Sequence, residues 1–396
     1  MTIPESGEIS FSDFYRPVAP PTLTFGDGVT AGAPTVLAGV YSQLAFSPIA
    51  GKFVVIWKED NTGRAVIGTV SGTTASFGTE AEWLPNAMSL NDGAIAWNPN
   101  DSSRFVIVFR DHSNSYYPTA VVGNVSGSAI TFSTPVVIHN MTESRTELEI
   151  AFDPNVSGRF VLIWKMGSAQ PTPYYSQAMV GTMSGNTLSF GTPVTFNQGS
   201  MGYPQLAFDP NNSGRFAIAY QDGTNSWHGA AIVGNISGNT ISFGTPVVFQ
   251  SDGNSYYHVI AFSGSNKFVC GCRNGGYVNR GDLYVGSISG TDTLSFSSAT
   301  IFDGDNGYPF CLRFDPHNPQ NFILVYKKST TCKALSGQLV GSTLSYNDPV
   351  TFQTSTNPNW VWFDYDPNTE NKMVVTYVPQ TGTYDNMVRV KVGTLS

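Results

Sequence analysis

Charge is what this sequence has least of: 12% of its 396 residues are Asp, Glu, Lys or Arg. Twenty basic residues stand against 28 acidic ones, for a formal net charge of −8, and no basic run is present. That balance offers no electrostatic footprint for a phosphate backbone or an anionic membrane, so nucleic acid is not expected as a partner. No apolar run approaches the roughly 20 residues that span a bilayer, so membrane insertion is not expected either. Met1–Ser10 has neither the basic start nor the apolar stretch of a signal peptide, and synthesis in the cytoplasm is expected. The four cysteines are too few for a disulfide framework, and their spacing matches no zinc pattern. Helical periodicity is missing throughout, which excludes bundle and α/β architectures.

Gly, Ser, Thr and Asn are abundant instead, and aromatics reach 13%, a composition suited to short strands and many turns. The phrase "LAFDPNNSGRFAIAYQDG" at 206–223 recurs along the chain. Its aromatic falls at Phe46, Trp97, Phe152, Phe208, Phe262, Phe314 and Tyr365, every 51 to 56 residues. A second phrase, "ISFGTPVVF", recurs with Phe25, Phe77, Phe132, Phe190, Phe243, Phe296 and Tyr346. A glycine series runs through Gly68, Gly123, Gly181, Gly234, Gly286, Gly337 and Gly393. Each unit reads as four short strands bounded by turn residues, and four antiparallel strands repeated about every 50 residues predict a β-propeller.

The residue after the first aromatic is Ser47, Asn98, Asp153, Asp209, Ser263, Asp315 or Asp366, with Pro next in six of the seven. A side-chain oxygen accepting from the backbone two residues on, followed by a fixed φ, makes a tight corner. Lys52, Arg104, Arg159, Arg215, Lys267 and Lys372 stand beside this corner and are expected to be solvated charges. The last unit stops at "VGTLS" without a fourth strand, while "TLTFGDGVT" at 22–30 aligns with "TLSFGTPVT" at 187–195. The expected fold is therefore all-β: seven four-stranded antiparallel blades over residues 22–396, closed by the N-terminal strand, with residues 1–21 an extended arm.

The loops joining second to third strands and blade to blade share one rim and carry the length variation. Tyr116, Tyr117, Tyr174, Tyr175, Trp227, Tyr256, Tyr257, Tyr277 and Trp360 are interleaved there with Asn, Ser and Gly, and they form the candidate binding face. Cys270 and Cys272 fall in columns filled elsewhere by Val, Ile, Leu and large aromatics, which makes them core residues. "DGDNGYP" at 303–309 lacks calcium-loop spacing and reads as a turn. Glu147 and Glu149 sit two apart on an axis-lining strand, as a glycosidase pair would, but no supporting His or Tyr geometry is legible. No nucleophile turn is found, and no catalytic residue, metal or cofactor is assigned.

"IPESGEISFSDF", Ile3–Phe14, resembles the "IPxSGxISFSDI"-like openings of tail and other virion proteins of tailed bacteriophages, and "VGNISGNTISFGTPVVF" at 233–249 is similar to repeats in phage structural proteins. The resemblance implies a non-enzymatic virion (tail or fibre) protein. Its propeller would be structural or would recognise the host, through a surface glycan or a protein receptor. Ile3, Pro4, Ile9, Phe11 and Phe14 would anchor the arm to other virion proteins, with several copies per assembly. The alternative is a secreted or surface carbohydrate-binding, lectin-like propeller.

Overall fold

The computed structural model describes residues 19–31, 42–49, 51–59, 62–84, 88–139, 147–166, 174–264, 266–354, 359–379 and 388–396, with backbone alone at 88–92 and 359–360. The anchor residues Ile3, Pro4, Ile9, Phe11 and Phe14 lie outside this set.

Seven antiparallel sheets follow one another along the chain, six of them built outward in sequence order and the seventh completed by the N-terminal strand. Blade 4 shows the plan: Met201–Phe208 lines the axis, followed by Arg215–Asp222, His228–Ser237 and Thr240–Phe243. The fourth strand is broken in two at the residues between Phe243 and Val247. Its second half, Val247–Gln250, pairs again with the third strand after a register shift. The second strands are buried on both faces, since each blade is covered by a neighbour on either side, and runs such as "KFVVIW" and "RFVIVF" supply the β-branched and aromatic residues this needs.

Seven apolar clusters fill the spaces between neighbouring blades. The one that unites the ends of the chain joins Leu44, Phe46 and Phe53 of blade 1 to Val374, Val390 and Val392 of blade 7. Closure is by the predicted strand: Leu23–Phe25 and Val29–Thr30 both pair with Arg389–Leu395, through Leu23 opposite Leu395 and Val29 opposite Val390. Upstream of it, the carbonyls of Pro20 and Pro21 accept from Asn347 Nδ2 of blade 6 at 2.7 and 3.2 Å.

The glycine series is explained by packing. In six blades a Cβ at this position would collide with the phenyl ring opening the second strand, as at Gly234 with Phe216, and in blade 7 Gly393 faces Met373 instead. The corner also forms as expected. Six of the seven side chains accept from the backbone two residues on, at 2.8–3.1 Å; Ser263 donates to the Lys267 carbonyl instead.

The basic residues beside the corners do more than carry solvated charge. Each reaches the next blade: Lys52 to the Gly127 carbonyl, Arg104 to Asn186, Arg159 to Ser213, Arg215 to Asn266, Lys267 to Ser342 and Lys372 to the Gly72 carbonyl. Arg159 and Arg215 also fork onto fully buried Asp153 and Asp209. Blade packing leaves carbonyl and side-chain oxygens at each corner, and a long cation satisfies them across the gap.

Candidate functional site

Hydrogen bonds between loops establish that second-to-third-strand loops and blade-to-blade connections share a rim: Ser255 N donates to the Trp227 carbonyl, and Gly275 N to the Asn254 carbonyl. The predicted aromatics all belong to this rim but are not gathered into one surface. Tyr116 meets His112 edge to face, and Arg110 Cζ lies 4.7 Å from its ring. Tyr117 opens a third strand opposite Asp111. Tyr174 is half-buried, and Tyr175 packs onto the cluster between blades 2 and 3. Trp227 and Tyr277 are 40% and 47% exposed, with Arg280 Cζ 4.4 Å above the Tyr277 ring. The side chain of Trp360 is outside the described residues.

Tyr256 and Tyr257 do meet other rings, next to the axis. Tyr203 touches both, at centroid distances of 5.9 and 4.7 Å. Tyr257 continues the cluster to Tyr308 at 5.3 Å and Phe310 at 6.0 Å. Arg273 joins it from behind, its Cζ 5.4 Å from the Tyr256 ring and 4.2 Å from that of Tyr308. Tyr203, Tyr308, Phe310 and Arg273 are absent from the set expected from sequence. The signal for Tyr203 was available, since counted back five from the repeating aromatic, Glu147, Tyr203 and Tyr257 occupy one column.

That column is conformationally special. Glu147, Tyr203 and Tyr257 have φ of 76°, 50° and 54°, and the first strands of blades 4 and 5 shift register across the latter two. A non-glycine residue held in the left-handed region costs about 1 kcal/mol or more, and bulges re-aim side chains, here toward the axial mouth. His258 holds Tyr203 in place. Its Nδ1 lies 3.2 Å from the Tyr203 carbonyl, which can only accept, so Nδ1 carries the proton and Nε2 accepts from Ser255 Oγ at 2.8 Å. Burial drives its pKa down to about 3, so the ring is neutral and this tautomer persists. Burial likewise raises the Tyr203 and Tyr257 phenols, which remain protonated donors.

Two residues further along the strands begins an axial cavity of about 620 Å³ that runs to the corner rim. Ala45, Ala96, Ala151, Ala207 and Ala261 line it at one level, where blades 6 and 7 substitute Arg313 and Asp364. Glu149 and Gln205 stand at its inner end, joined by a hydrogen bond of 2.8 Å from Gln205 Nε2. Burial raises Glu149 to about 8, opposed by Arg313 and reinforced by Glu147. Glu147 is also raised by burial, against the pull of Lys165, whose Nζ is 3.1 Å away. At the mouth, ring faces with neutral hydroxyls at their edges can stack on a flat apolar face and hydrogen-bond around it.

Cys270 and Cys272 are fully buried in the cluster between blades 4 and 5, as expected for core residues. In the 303–309 turn the Lys328 ammonium lies 2.8 Å from Asp303 and 2.7 Å from Asp305.

No family model matches the chain, and no curated protein matches it by sequence. Solved structures share the fold. The BP39L lectin from Burkholderia pseudomallei superposes with a TM-score of 0.65 at 11% identity, over 90% of this chain and 97% of that one. The periplasmic gluconolactonase PpgL of Pseudomonas aeruginosa gives 0.57 at 12% identity, over 80% and 86%. Saccharomyces cerevisiae Sqt1 gives 0.54 at 11%, over 93% and 100%. At these identities the likeness is one of architecture.

Proposed function

We propose that this seven-bladed propeller is a carbohydrate-binding, lectin-like module, and that its sugar platform is the aromatic cluster at the axial mouth. The observation that carries the reading is the Tyr203–Tyr257–Tyr308 cluster: rings from three successive blades in contact, two of them on backbone held at positive φ. Pyranose rings present apolar C–H faces bordered by hydroxyls, the complement of such a platform. That one of the similar propellers is a lectin supports the reading by showing this architecture in that role. A binding role is favoured over a catalytic one because the candidate carboxylates are engaged, Glu147 by Lys165 and Glu149 by Gln205. A glycan array probed with the full chain tests the reading. Tyr203→Ala and Tyr308→Ala are expected to weaken binding by about 1–2 kcal/mol each. Array signal unaffected by both substitutions refutes the platform, and new reducing ends from a bound polysaccharide refute the non-catalytic role.

The opening "IPESGEISFSDF" favours a setting for this activity: a tailed-phage virion in several copies, with Ile3–Phe14 docked on another virion protein and the platform turned to the host surface. Mass spectrometry of purified particles tests it, and consistent absence of the chain refutes it.

A further inference from the structure

The cations around the axial mouth differ in how they are balanced. Lys165 is paired with Glu147 at 3.1 Å. Arg280, stacked on Tyr277, is forked onto buried Asp282 at 2.7 and 2.9 Å. Arg313 lies in the field of Asp364 and Glu149. Arg273 has no such partner: it enters no ion pair among the described residues. Its Nε is buried without a hydrogen bond, and its guanidinium is held between the rings of Tyr256 and Tyr308. Lys327 adds a second positive charge 5.7 Å from the Tyr308 ring centre. A guanidinium that is pinned by stacking and lacks a carboxylate is pre-organised for an external anion, and two parallel N–H donors fit a carboxylate or sulfate edge.

We propose that the sugar taken by the Tyr203–Tyr308 platform is acidic, and that Arg273 binds its carboxylate or sulfate group while the tyrosine rings carry its pyranose face. The proposal rests on the carbohydrate-binding reading and narrows its ligand class. It also gives the chain, acidic overall, a local reason to accept an anion.

Titration calorimetry with the full chain and ligand pairs that differ only in the acidic group tests it: sialyllactose and its methyl ester, an oligogalacturonide and the matching oligogalactoside, sulfated and plain galactan oligomers. The acidic member of at least one pair is expected to bind about tenfold tighter or more, with the advantage shrinking as salt rises. The carboxylate and sulfate arms identify which anion fits. In Arg273→Gln the acidic and neutral members should converge in affinity, and Arg273→Lys should recover part of the preference. The wild-type ratio and its salt dependence stand whether or not either variant folds. Equal affinity within every pair, or an acidic preference that survives Arg273→Gln, overturns the proposal and leaves the carbohydrate reading intact. No binding by any member of any pair overturns both.

Discussion

Replacing Glu149 by Gln should change how stability depends on pH. The carboxyl stands at the inner end of the axial cavity and accepts a hydrogen bond from Gln205 Nε2 at 2.8 Å. A glutamine Oε1 can keep that bond, so the substitution removes the titrating group and little else. Burial raises Glu149 from an ordinary 4.5 to about 8. Between these values the folded protein holds a proton that the unfolded chain has released, so stability falls as pH rises through the window. Full transfer over that range is worth about 5 kcal/mol. Water entering the cavity screens the group, and the expected difference is about 2–4 kcal/mol. The assay is urea unfolding of wild type and Glu149→Gln at pH 5, 7 and 9, with the stability difference plotted against pH. Wild type should be comparable to or more stable than the variant at pH 5 and less stable at pH 9. Parallel profiles would refute the claim that this carboxyl is carried neutral in the fold.

Burial lowers His258 to about 3, so its contribution is present above its ordinary 6.5 and is lost as pH falls toward 3. His258→Asn should flatten the acid limb of the stability profile and, by releasing Tyr203, weaken glycan binding, which binding isotherms at neutral pH check. Gly234→Ala should cost about 3 kcal/mol, because the Phe216 ring it meets is fully buried between Phe208 and Phe243. Adding Phe216→Leu should recover at least about 1 kcal/mol in a double-mutant cycle, and strict additivity would contradict the contact. Arg215→Met, which strands buried Asp209, should destabilise by about 3 kcal/mol in urea unfolding. Deleting residues 22–31 removes the strand paired with Arg389–Leu395 and should lower the unfolding midpoint sharply.

The fold was legible because its determinants are local and repeated. Strand alternation, the corner Asx residues and the glycine column each recur once per blade. The match between residues 22–30 and 187–195 was enough to place the closing strand on Arg389–Leu395. The corner cations were misread because their partners lie in the following unit, at separations such as the 75 residues between Lys52 and Gly127. No local pattern reports what a packed neighbour leaves unsatisfied.

The site was legible only in part, and for a related reason. Counting aromatics along the rim loops found Tyr256 and Tyr257 but ranked them with Tyr116, Trp227 and Tyr277, whose rings make no contact with theirs. Tyr203 and Tyr308 enter the cluster because successive first strands converge on the axis, so residues roughly 50 apart in sequence become neighbours in space. The aim of Tyr203, like that of Tyr257, depends on positive φ at a bulged position, a backbone state that Tyr does not announce. The sequence by itself thus determined the number of blades, the turn chemistry and the closure, all consequences of short-range preference multiplied seven times. Which rings share a surface, which cation lacks a partner and which carboxyl is kept from water were decided by the ring of blades, since convergence and burial belong to the assembled wheel and to no single repeat.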